Sequence, residues 1–250
     1  MKILVCIPAR YNSTRLFGKP LLQINNKSII RHVYEVAEKI EYDKEIVILT
    51  DDIRIKNEVD SFSEKKCHII EEDCLNGTER IIRYLKKNPN DYEIIINLQG
   101  DEPFIDLDNI HLAINNFITK KKLNSELVCS TIHFLTFNTL DIMNNSRVKL
   151  VTDKDNNIMY ASRNSIPSGK NYKVNENIPY KIHIGIFVFD KDYLINKFYL
   201  ENTHYQLCED IEWLKIIEQG YKINTIKVKE HEIGVDTLGD YLFLKEKYEV

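Results

Sequence analysis

Three cationic side chains lie close together near the start of the sequence. Arg10, Arg15 and Lys19 fall within IPARYNSTRLFGKPLL (7–22), and no acidic residue precedes Glu35. Guanidinium and ammonium groups make charge-assisted hydrogen bonds to phosphate oxygens, and free backbone N–H groups in such a loop add donors. The stretch therefore predicts an anion-binding loop, with phosphate as the favoured ligand. The alternative is a solvated loop whose cations balance the acids of a chain with net charge −4.

Two later stretches place acidic residues where strand-like runs end. NLQGDEPF (97–104) contains Asp101, and EIGVDTLGD (232–240) contains Asp236. Carboxylate oxygens at such positions suit a hard cation, whereas the alternatives are an acidic turn for Asp101 and a helix N-cap for Asp236. Two acids facing a cationic loop favour a nucleoside triphosphate with Mg²⁺, the cations on the phosphates and the carboxylates on the metal.

Two further positions have competing interpretations. NGTER (76–80) predicts a turn that leads into a helix, with Thr78 available as the cap and Arg80 left over as a donor. His183 comes just before the strand-like run IGIFVF, and it either contacts a ligand or is an ordinary core or surface histidine.

The elements that must position these residues alternate along the chain. Helical periodicity predicts helices at 28–40, 76–87 and 209–220. Apolar, β-branched runs predict strands at 2–7, 45–50, 67–70, 93–98, 127–132, 148–153, 184–190 and 221–228. This alternation predicts an α/β fold with a mostly parallel central sheet, and ligands bind at the carboxyl ends of the strands in such sheets.

Composition and missing motifs exclude several classes of protein. Of 250 residues, 43% are hydrophobic and 29% charged, and no apolar run reaches the roughly 18–20 residues of a membrane span. The start of the chain lacks a signal-peptide pattern, so we expect a cytoplasmic protein that engages no membrane. The five cysteines include no CxxC and predict reduced thiols rather than zinc ligands. Mild acidity argues against nucleic acid as a partner, and neither GxGxxG nor the P-loop motif occurs.

Taken together, these motifs resemble those of the CMP-Kdo synthetases, the 3-deoxy-manno-octulosonate cytidylyltransferases. The resemblance runs nearly end to end and rests on IPARYNSTRLFGKPL, NGTERI, NLQGDEPF, VKLV, YASRNSIP, HIGIF and GVDT. It implies a Rossmann-like nucleotidyltransferase fold in one domain, 1–250, with helices flanking the sheet. It also implies a homodimer, with a smaller dimerisation excursion in the second half. The loop-like stretch 167–179 would be a mobile insert or an interface arm.

The resemblance also implies a role for each candidate residue. The catalytic set would hold the triphosphate, stabilise charge and, through its two acids, bind Mg²⁺: Arg10, Arg15, Lys19, Asp101 and Asp236. The nucleotide-binding set, with Arg80 at the cytosine, would be Pro8, Ala9, Arg10, Lys19, Asn76, Gly77, Thr78, Arg80, Gln99 and Gly100. The set facing the sugar acid would be Arg163, His183, Glu212 and Trp213.

The implied reaction joins CTP to 3-deoxy-manno-octulosonate (Kdo), giving CMP-Kdo and diphosphate for lipopolysaccharide or capsule synthesis. The anomeric hydroxyl of the sugar attacks the α-phosphorus, and catalysis depends on positioning and charge neutralisation. An NAD-dependent oxidoreductase and a non-catalytic nucleotide-binding regulator are the rival classes.

The chain departs from the family pattern at several positions. Phe17 stands where the family usually has Pro, and Asn76 stands where it has Ser. Near Glu212 the family has a Glu-Gln pair followed by Arg, whereas this chain has Trp213 and Lys215. The indole either reshapes the sugar pocket, which favours 8-amino-Kdo or another 2-keto-3-deoxy acid, or packs inward and leaves Kdo as the substrate.

Overall fold

The computed structural model describes residues 1–13, 15–169, 173–198, 202–229 and 233–249. The chain divides into two compact units, Met1–Ile110 with Glu232–Val250, and His111–His231. We call these the first and second units and describe each by itself. The single domain expected from the sequence stays a prediction, as does the dimerisation excursion. Within the expected insert or arm at 167–179, residues 170–172 lie outside the described residues.

A parallel sheet and its helices make up the first unit. The strands are Ile3–Ala9 (β1), Lys44–Thr50 (β4), Cys67–Ile69 (β5) and Ile94–Leu98 (β6), and a small antiparallel hairpin is formed by Gln23–Ile24 (β2) and Lys27–Ser28 (β3). The helices are Ile29–Glu38 (α1), Ile53–Phe62 (α2), Gly77–Lys87 (α3) and Leu238–Tyr248 (α9). The parallel strands lie in the order β6-β1-β4-β5.

The strand β1 is the centre of this sheet. It pairs in parallel with β4 on one side and β6 on the other, and every one of its side chains is buried. A strand covered on both faces reads as a continuous apolar run, which is why the sequence shows no alternation there. Ala9 lies opposite Thr50, so the segments that follow β1 and β4 leave the sheet side by side.

A second apolar cluster fixes the loop that follows β1. Ile24, Ile29, Val235 and Leu244 are fully buried together, and partly buried side chains packed against them include Leu16 and Leu22 of the loop. Burying apolar surface is the main favourable term in folding. The cluster therefore holds the loop next to the segment that leads into α9.

The second unit combines antiparallel and parallel strand pairs. Its strands are Leu127–Thr136 (β7), Lys149–Thr152 (β8), Ile158–Ser162 (β9), Tyr180–Asp190 (β10) and Lys222–Lys227 (β11). Its helices are Thr139–Met143 (α5), Lys191–Tyr193 (α6), His204–Glu209 (α7) and Leu214–Glu218 (α8), with a π-helical turn at Leu194–Phe198. The helix Leu107–Leu123 (α4) begins in the first unit and ends in the second. Strand β7 pairs in parallel with β11 and antiparallel with β10, which also pairs with β8.

The element predictions are confirmed with two corrections. The α/β class with a mostly parallel sheet and flanking helices is confirmed, and antiparallel pairs are described in the β2–β3 hairpin of the first unit and among the strands of the second unit. The single helix predicted at 209–220 is wrong, because Asp210 adopts φ 52° and ends α7 before α8 begins. The strands β2, β3 and β9 were not predicted from apolar runs. Among the described residues, no helix is long and apolar enough to cross a membrane.

His133 is a buried titratable group in the second unit. Its side chain lies on β7, is 2% exposed, and forms a hydrogen bond through Nδ1 with the Thr225 hydroxyl at 2.9 Å. Burial, together with the positive charges of Lys181 and Lys227, lowers the pKa of His133 to about 4. The folded protein therefore holds this imidazole neutral at physiological pH.

We expect His133 to make the fold sensitive to mild acid. An unfolded histidine titrates near 6.5, so the unfolded chain binds the extra proton between pH 6.5 and 4, and stability falls as pH is lowered through that window. The loss by pH 4 is about 3 kcal/mol, and this group adds nothing further below it. Urea unfolding of wild type and His133→Asn at pH 7 and pH 4.5 measures the effect, because asparagine keeps a partner for Thr225 but does not titrate.

His204→Asn is the matched control for this measurement, since His204 is exposed. We expect the control to lose as much stability as wild type between the two pH values, and His133→Asn to lose clearly less. An equal loss in all three proteins contradicts the prediction.

Candidate active site

Strand β1 brings the first candidate residues to the carboxyl edge of the sheet. Pro8 and Ala9 are buried at its end, whereas Arg10, the next residue, is exposed. Within the described part of the chain, no hydrogen bond or ion pair of the Arg10 side chain is found. Arg10 thus presents a cation at the edge where parallel sheets bind their ligands.

The loop after Arg10 is folded back on itself around Tyr11. The Tyr11 carbonyl accepts hydrogen bonds from the N–H groups of Ser13 and Gly18, both at 3.0 Å. Gly18 has φ 66°, and a Cβ there would lie 3.3 Å from the Tyr11 ring, so glycine suits both the backbone and the space. A short 3₁₀ turn, Lys19–Leu21, follows and turns Lys19 inward, leaving its side chain 11% exposed.

Two cations of this loop meet the two predicted acids. Lys19 Nζ lies 2.6 Å from Asp101 Oδ2 and 3.5 Å from Asp236 Oδ1, and Arg15 Nη1 lies 3.0 Å from Asp236 Oδ2. The two ion pairs of Lys19, whose side chain is largely buried, are screened by salt much less than exposed pairs. Of the five residues predicted as catalytic, four therefore form one charged cluster, and Arg10 lies at the adjoining strand end.

Backbone contacts hold the two acidic loops together independently of these charges. The Val235 N–H donates to the Asp101 carbonyl at 2.8 Å. Helix α9 is capped by Thr237, whose hydroxyl accepts a hydrogen bond from the Asp240 N–H. In turn, the Asp240 carboxylate accepts a hydrogen bond from the Thr237 N–H. The N-cap interpretation of Asp236 is therefore wrong, and its carboxylate is left to face Arg15 and Lys19.

The cluster suits a divalent cation only in part. Among the described residues, no group of three or more His, Cys, Asp or Glu side chains is arranged to hold a metal ion. However, Asp101 and Asp236 converge on a single cationic atom, Lys19 Nζ. Mg²⁺ commonly takes one or two protein carboxylates and fills its remaining positions with water and phosphate oxygens. The two carboxylates therefore fit Mg²⁺ bound together with a phosphate ligand.

The start of α3 differs from the capping prediction. Asn76 caps the helix, its Oδ1 accepting from the Glu79 N–H at 2.8 Å, and the Glu79 carboxylate accepts from the Leu75 N–H at 2.9 Å. Thr78 as the cap is therefore wrong. Thr78 lies within the first turn, directly after Gly77, and its hydroxyl accepts from Asn97 Nδ2 at 3.1 Å.

Arg80 is a buried cation close to the cationic loop. Its side chain lies in the first turns of α3, and the residue is 4% exposed. Nη2 donates to Asp51 Oδ2 at 2.9 Å, whereas the buried Nη1 has no hydrogen-bond partner among the described residues. A buried donor without a partner is costly, so Nη1 marks a position where a ligand acceptor would be stabilised.

A chain of amides continues from Thr78 to the end of β6. Asn97 receives a hydrogen bond on Oδ1 from Gln99 Nε2 at 3.2 Å, and this leaves the Gln99 side-chain oxygen as an acceptor. A Cβ on Gly100 would lie 2.8 Å from the Pro8 carbonyl oxygen, so only glycine allows this loop to approach β1 so closely. Gln99 and Gly100 are thus fixed beside the end of β1.

In the second unit, Arg163 is held mainly by backbone carbonyls. Its guanidinium donates to the carbonyl oxygens of Asn145 at 3.3 Å, Glu209 at 3.0 Å and Asp210 at 2.9 Å. The Arg163 N–H itself donates to the Glu209 carboxylate at 3.1 Å. Most donors that the sequence assigns to a sugar carboxylate are thus already used, and the role of Arg163 stays a prediction.

Lys149 supports the same segment from inside. This lysine is fully buried, and its Nζ donates to the carbonyls of Asn144 at 3.0 Å, Arg147 at 2.6 Å and Arg163. Burial, helped by the nearby Arg163 charge, lowers the pKa of Lys149 to about 8. Lys149 therefore anchors the turn that carries Arg163.

His183 and Trp213 contact each other in the second unit. Their ring centroids lie 5.3 Å apart, and His183 Nε2 forms a hydrogen bond with the Thr131 hydroxyl at 2.8 Å. Trp213 is 4% exposed, so its indole packs inward. Glu212 is half-buried. The burial of Cys129, together with the negative charge of Glu212, raises the pKa of the Cys129 thiol.

Sequence reasoning missed three residues that orient these candidates. Asp51 pairs with Arg80, Asn97 joins Thr78 to Gln99, and Lys149 anchors the turn of Arg163. Asp51 carried a usable signal, because it is an acid directly after a strand-like run, as Asp101 is. The other two lie within apolar runs and are distinguished only by their partners in the fold.

Comparison with known proteins identifies the family of this chain. A family model described as cytidylyltransferase matches residues 4–225. A 3-deoxy-manno-octulosonate cytidylyltransferase of Fusobacterium nucleatum is 39% identical over 237 residues, which is 95% of this chain and 93% of that protein. The chain belongs to the 3-deoxy-manno-octulosonate cytidylyltransferase family. The resemblance read from the ordered motifs is thereby confirmed.

Two further comparisons extend this result. The mitochondrial 3-deoxy-manno-octulosonate cytidylyltransferase of Arabidopsis thaliana is 37% identical over 239 residues, 96% of this chain and 80% of that protein. The structure of a CMP:2-keto-3-deoxy-manno-octonic acid synthetase complexed with CTP matches with a TM-score of 0.85 and 31% identity, covering 99% of this chain and 98% of that one. The nucleotidyltransferase fold of this cytidylyltransferase is confirmed.

Proposed function

We propose that this cytidylyltransferase couples CTP to Kdo and releases diphosphate, giving CMP-Kdo. The observation that carries the proposal is the convergence of Lys19, Asp101 and Asp236, with Arg15 beside them, in a chain whose family activates sugars with CTP. Such a cluster suits the charge that develops when a triphosphate is attacked at its α-phosphorus. The names of the relatives support Kdo as the sugar acid.

The cationic loop supplies the electrostatic part of this chemistry. Arg10, Arg15 and Lys19 bind the triphosphate and stabilise the negative charge of the departing diphosphate. Asp101 and Asp236 are the residues that would hold Mg²⁺, which when bound neutralises phosphate charge. No protein nucleophile is required, since the anomeric hydroxyl of the sugar attacks the α-phosphorus directly.

Arg80, near the start of α3, and Gln99, directly after β6, recognise the base. Arg80 offers its unpartnered Nη1, and Gln99 offers its side-chain oxygen. A donor and an acceptor of this kind complement cytosine, which presents acceptors at N3 and O2 and a donor at N4. Backbone groups around Asn76, Gly77 and Thr78 assist Arg80 at the cytosine, and Pro8, Ala9 and Gly100 complete the nucleotide-binding set.

Arg163, His183, Glu212 and Trp213 remain the proposed sugar-acid residues. The inward packing of Trp213 supports the simpler of the two interpretations, in which the indole is part of the core and Kdo is the substrate. 8-Amino-Kdo and other 2-keto-3-deoxy acids are the alternatives that the assay below separates. A homodimer, a cytoplasmic location and a destination in lipopolysaccharide or capsule synthesis complete the proposal, on the resemblance to the family.

A diphosphate-release screen tests the proposed function. CTP, UTP and ATP are each combined with Kdo, 8-amino-Kdo, neuraminic acid and other 2-keto acids, with and without Mg²⁺. We expect rapid release only with CTP, Mg²⁺ and Kdo. Diphosphate release with 8-amino-Kdo but not with Kdo assigns the alternative sugar. CTP binding without diphosphate release in the presence of any sugar acid supports a non-catalytic nucleotide-binding regulator.

A further inference from the structure

Asp51 lies where the cationic loop and the base-recognition residues come together. It directly follows β4, whose last residue, Thr50, is paired with Ala9 at the end of β1. The side chains that follow the two strands are therefore neighbours at the carboxyl edge of the first unit's sheet. The Asp51 side chain is 38% exposed, whereas that of its partner Arg80 is 5% exposed.

The Asp51 carboxylate accepts from two different segments. Oδ2 accepts from Arg80 Nη2 at 2.9 Å, and Oδ1 accepts from the Tyr11 N–H at 3.4 Å. One side chain thus joins the first turns of α3 to the first residue after Arg10. An ionised carboxylate can serve both donors because it carries two acceptor oxygens and no hydrogen.

Arg80 depends on this carboxylate to compensate its buried charge and to fix its orientation. A guanidinium is always charged and planar, so fixing one edge fixes the direction of the other. With Nη2 on Asp51, the second terminal nitrogen, Nη1, is buried and has no hydrogen-bond partner in the described part of the chain. The arrangement presents one donor of Arg80 for a ligand acceptor.

Tyr11 links Asp51 to the cationic loop by hydrogen bonds. Its carbonyl closes the loop by accepting from Ser13 and Gly18, and its ring is covered by the Arg54 guanidinium, 3.4 Å from the ring centroid. Arg54 is itself fixed by Asp52 at 2.6 and 2.8 Å. Tyr11 is therefore held at its backbone by Asp51 and at its ring by Arg54.

We propose that Asp51 is a positioning residue for nucleotide specificity. Its carboxylate orients Arg80 toward the base and links Arg80 to the cationic loop that carries Arg10, Arg15 and Lys19. The inference rests on the proposed function, in which Arg80 reads cytosine. Cytosine N3 is an acceptor and uracil N3 is a donor, so a correctly aimed guanidinium N–H favours CTP over UTP. Asp51 acts through Arg80 and Tyr11 and does not itself touch the reacting atoms.

Asp51→Asn tests the proposal with almost no change in shape. Arg80 and Tyr11 donate to different oxygens of Asp51, and asparagine replaces one of these oxygens with an NH₂ group, which donates instead of accepting. We expect the KM for CTP to rise about tenfold or more and kcat to change by no more than about threefold, since a hydrogen bond to a charged group mainly supports binding here. The ratio of kcat/KM for CTP to that for UTP should fall, which a merely structural role would not produce.

A double-mutant cycle with Arg80→Met shows whether Asp51 acts through Arg80. In the Arg80→Met background, Asp51→Asn should change the KM for CTP by less than about twofold, because Arg80 is already absent and the amide oxygen can still accept from the Tyr11 N–H. An effect of the same size in both backgrounds overturns the proposal, as does a wild-type KM together with a wild-type CTP/UTP ratio in Asp51→Asn. If Asp51→Asn does not fold, Asp51→Glu, which keeps the charge but displaces the carboxylate, completes the same cycle.

One measurement separates failure of this inference from failure of the proposed function. Calorimetric titration with CTP alone gives a Kd that needs no sugar acid, so weaker CTP binding by Asp51→Asn supports the inference even if no tested sugar is turned over. Asp43→Asn is the matched control, because Asp43 is exposed and lies just before the opposite end of β4. We expect wild-type Kd, KM and thermal unfolding for the control.

Discussion

Asp101→Ala is expected to abolish Mg²⁺-dependent diphosphate release. The substitution removes one of the two carboxylates that converge on Lys19 Nζ, at 2.6 Å. Asp101 holds its loop through its carbonyl, which accepts from the Val235 N–H, so the alanine variant keeps that contact. The expected loss in kcat is on the order of 10³-fold, by analogy with the loss of one preorganised transition-state stabiliser.

Asp236→Ala should give a loss of the same order for a related reason. Asp236 pairs with both Arg15 and Lys19, so its removal takes away a proposed metal ligand and also releases a cation of the loop. Because α9 is capped by Thr237 and Asp240, the helix itself should persist in this variant. Near-normal turnover in either variant removes that residue from the proposed metal site.

The measurement needs a readout besides turnover. Diphosphate release is followed across a Mg²⁺ titration, and binding of Mn²⁺ in the presence of CTP is followed by electron paramagnetic resonance. We expect the Mn²⁺ affinity to fall in both alanine variants. Asp73→Ala is the control, since Asp73 is exposed and has no hydrogen bond or ion pair among the described residues. Weak metal binding in that control as well would mean that general surface charge, rather than the site, sets the affinity.

Much of this site could be predicted because strand ends mark ligand sites in parallel sheets. An apolar run followed by a cation or an acid identified Arg10 after β1 and Asp101 after β6, and the fold brings Asp101 to Lys19. The rule uses only local sequence together with one general property of the fold. The same signal at Asp51 was available and was not used.

Contacts between distant segments could not be read in the same way. The donors of Arg163 are used by carbonyls 46 and 47 residues later in the chain, and backbone acceptors leave no mark in the sequence. Helix capping was also misassigned, because Asn76 and Thr78 are both good caps and only the backbone of the turn decides between them. The division into two units could not be predicted from composition, because the first unit combines the first part of the chain with residues near its end.

Lys19→Met is the second substitution with a large expected effect, and it should change two measurements in opposite directions. Lys19 is the most buried cation of the cluster, with its side chain 11% exposed and its ammonium group shared between Asp101 and Asp236. Loss of this positive charge next to the phosphates should lower kcat by about 10²–10³-fold, by analogy with other preorganised charge stabilisers. Methionine keeps a long unbranched side chain, so the packing of the loop should change little.

Affinity for a divalent ion without nucleotide should rise in the same variant. In the wild type, the Lys19 ammonium occupies the position between the two carboxylates, so a metal ion must compete with it for the same oxygens. Without the ammonium, the two negative charges repel each other, and a bound cation relieves that repulsion. Mn²⁺ titration of the nucleotide-free protein measures this competition directly.

Lys27→Met is the matched control for Lys19→Met. Lys27 also pairs with a carboxylate, Glu35, at 2.7 Å, but its side chain is 40% exposed and the pair lies outside the cluster. Exposed pairs contribute little, so turnover and Mn²⁺ affinity should both match wild type. If Lys19→Met lowers turnover while Mn²⁺ affinity also falls, the ammonium and the metal do not share the two carboxylates, and Lys19 then acts on the phosphates alone.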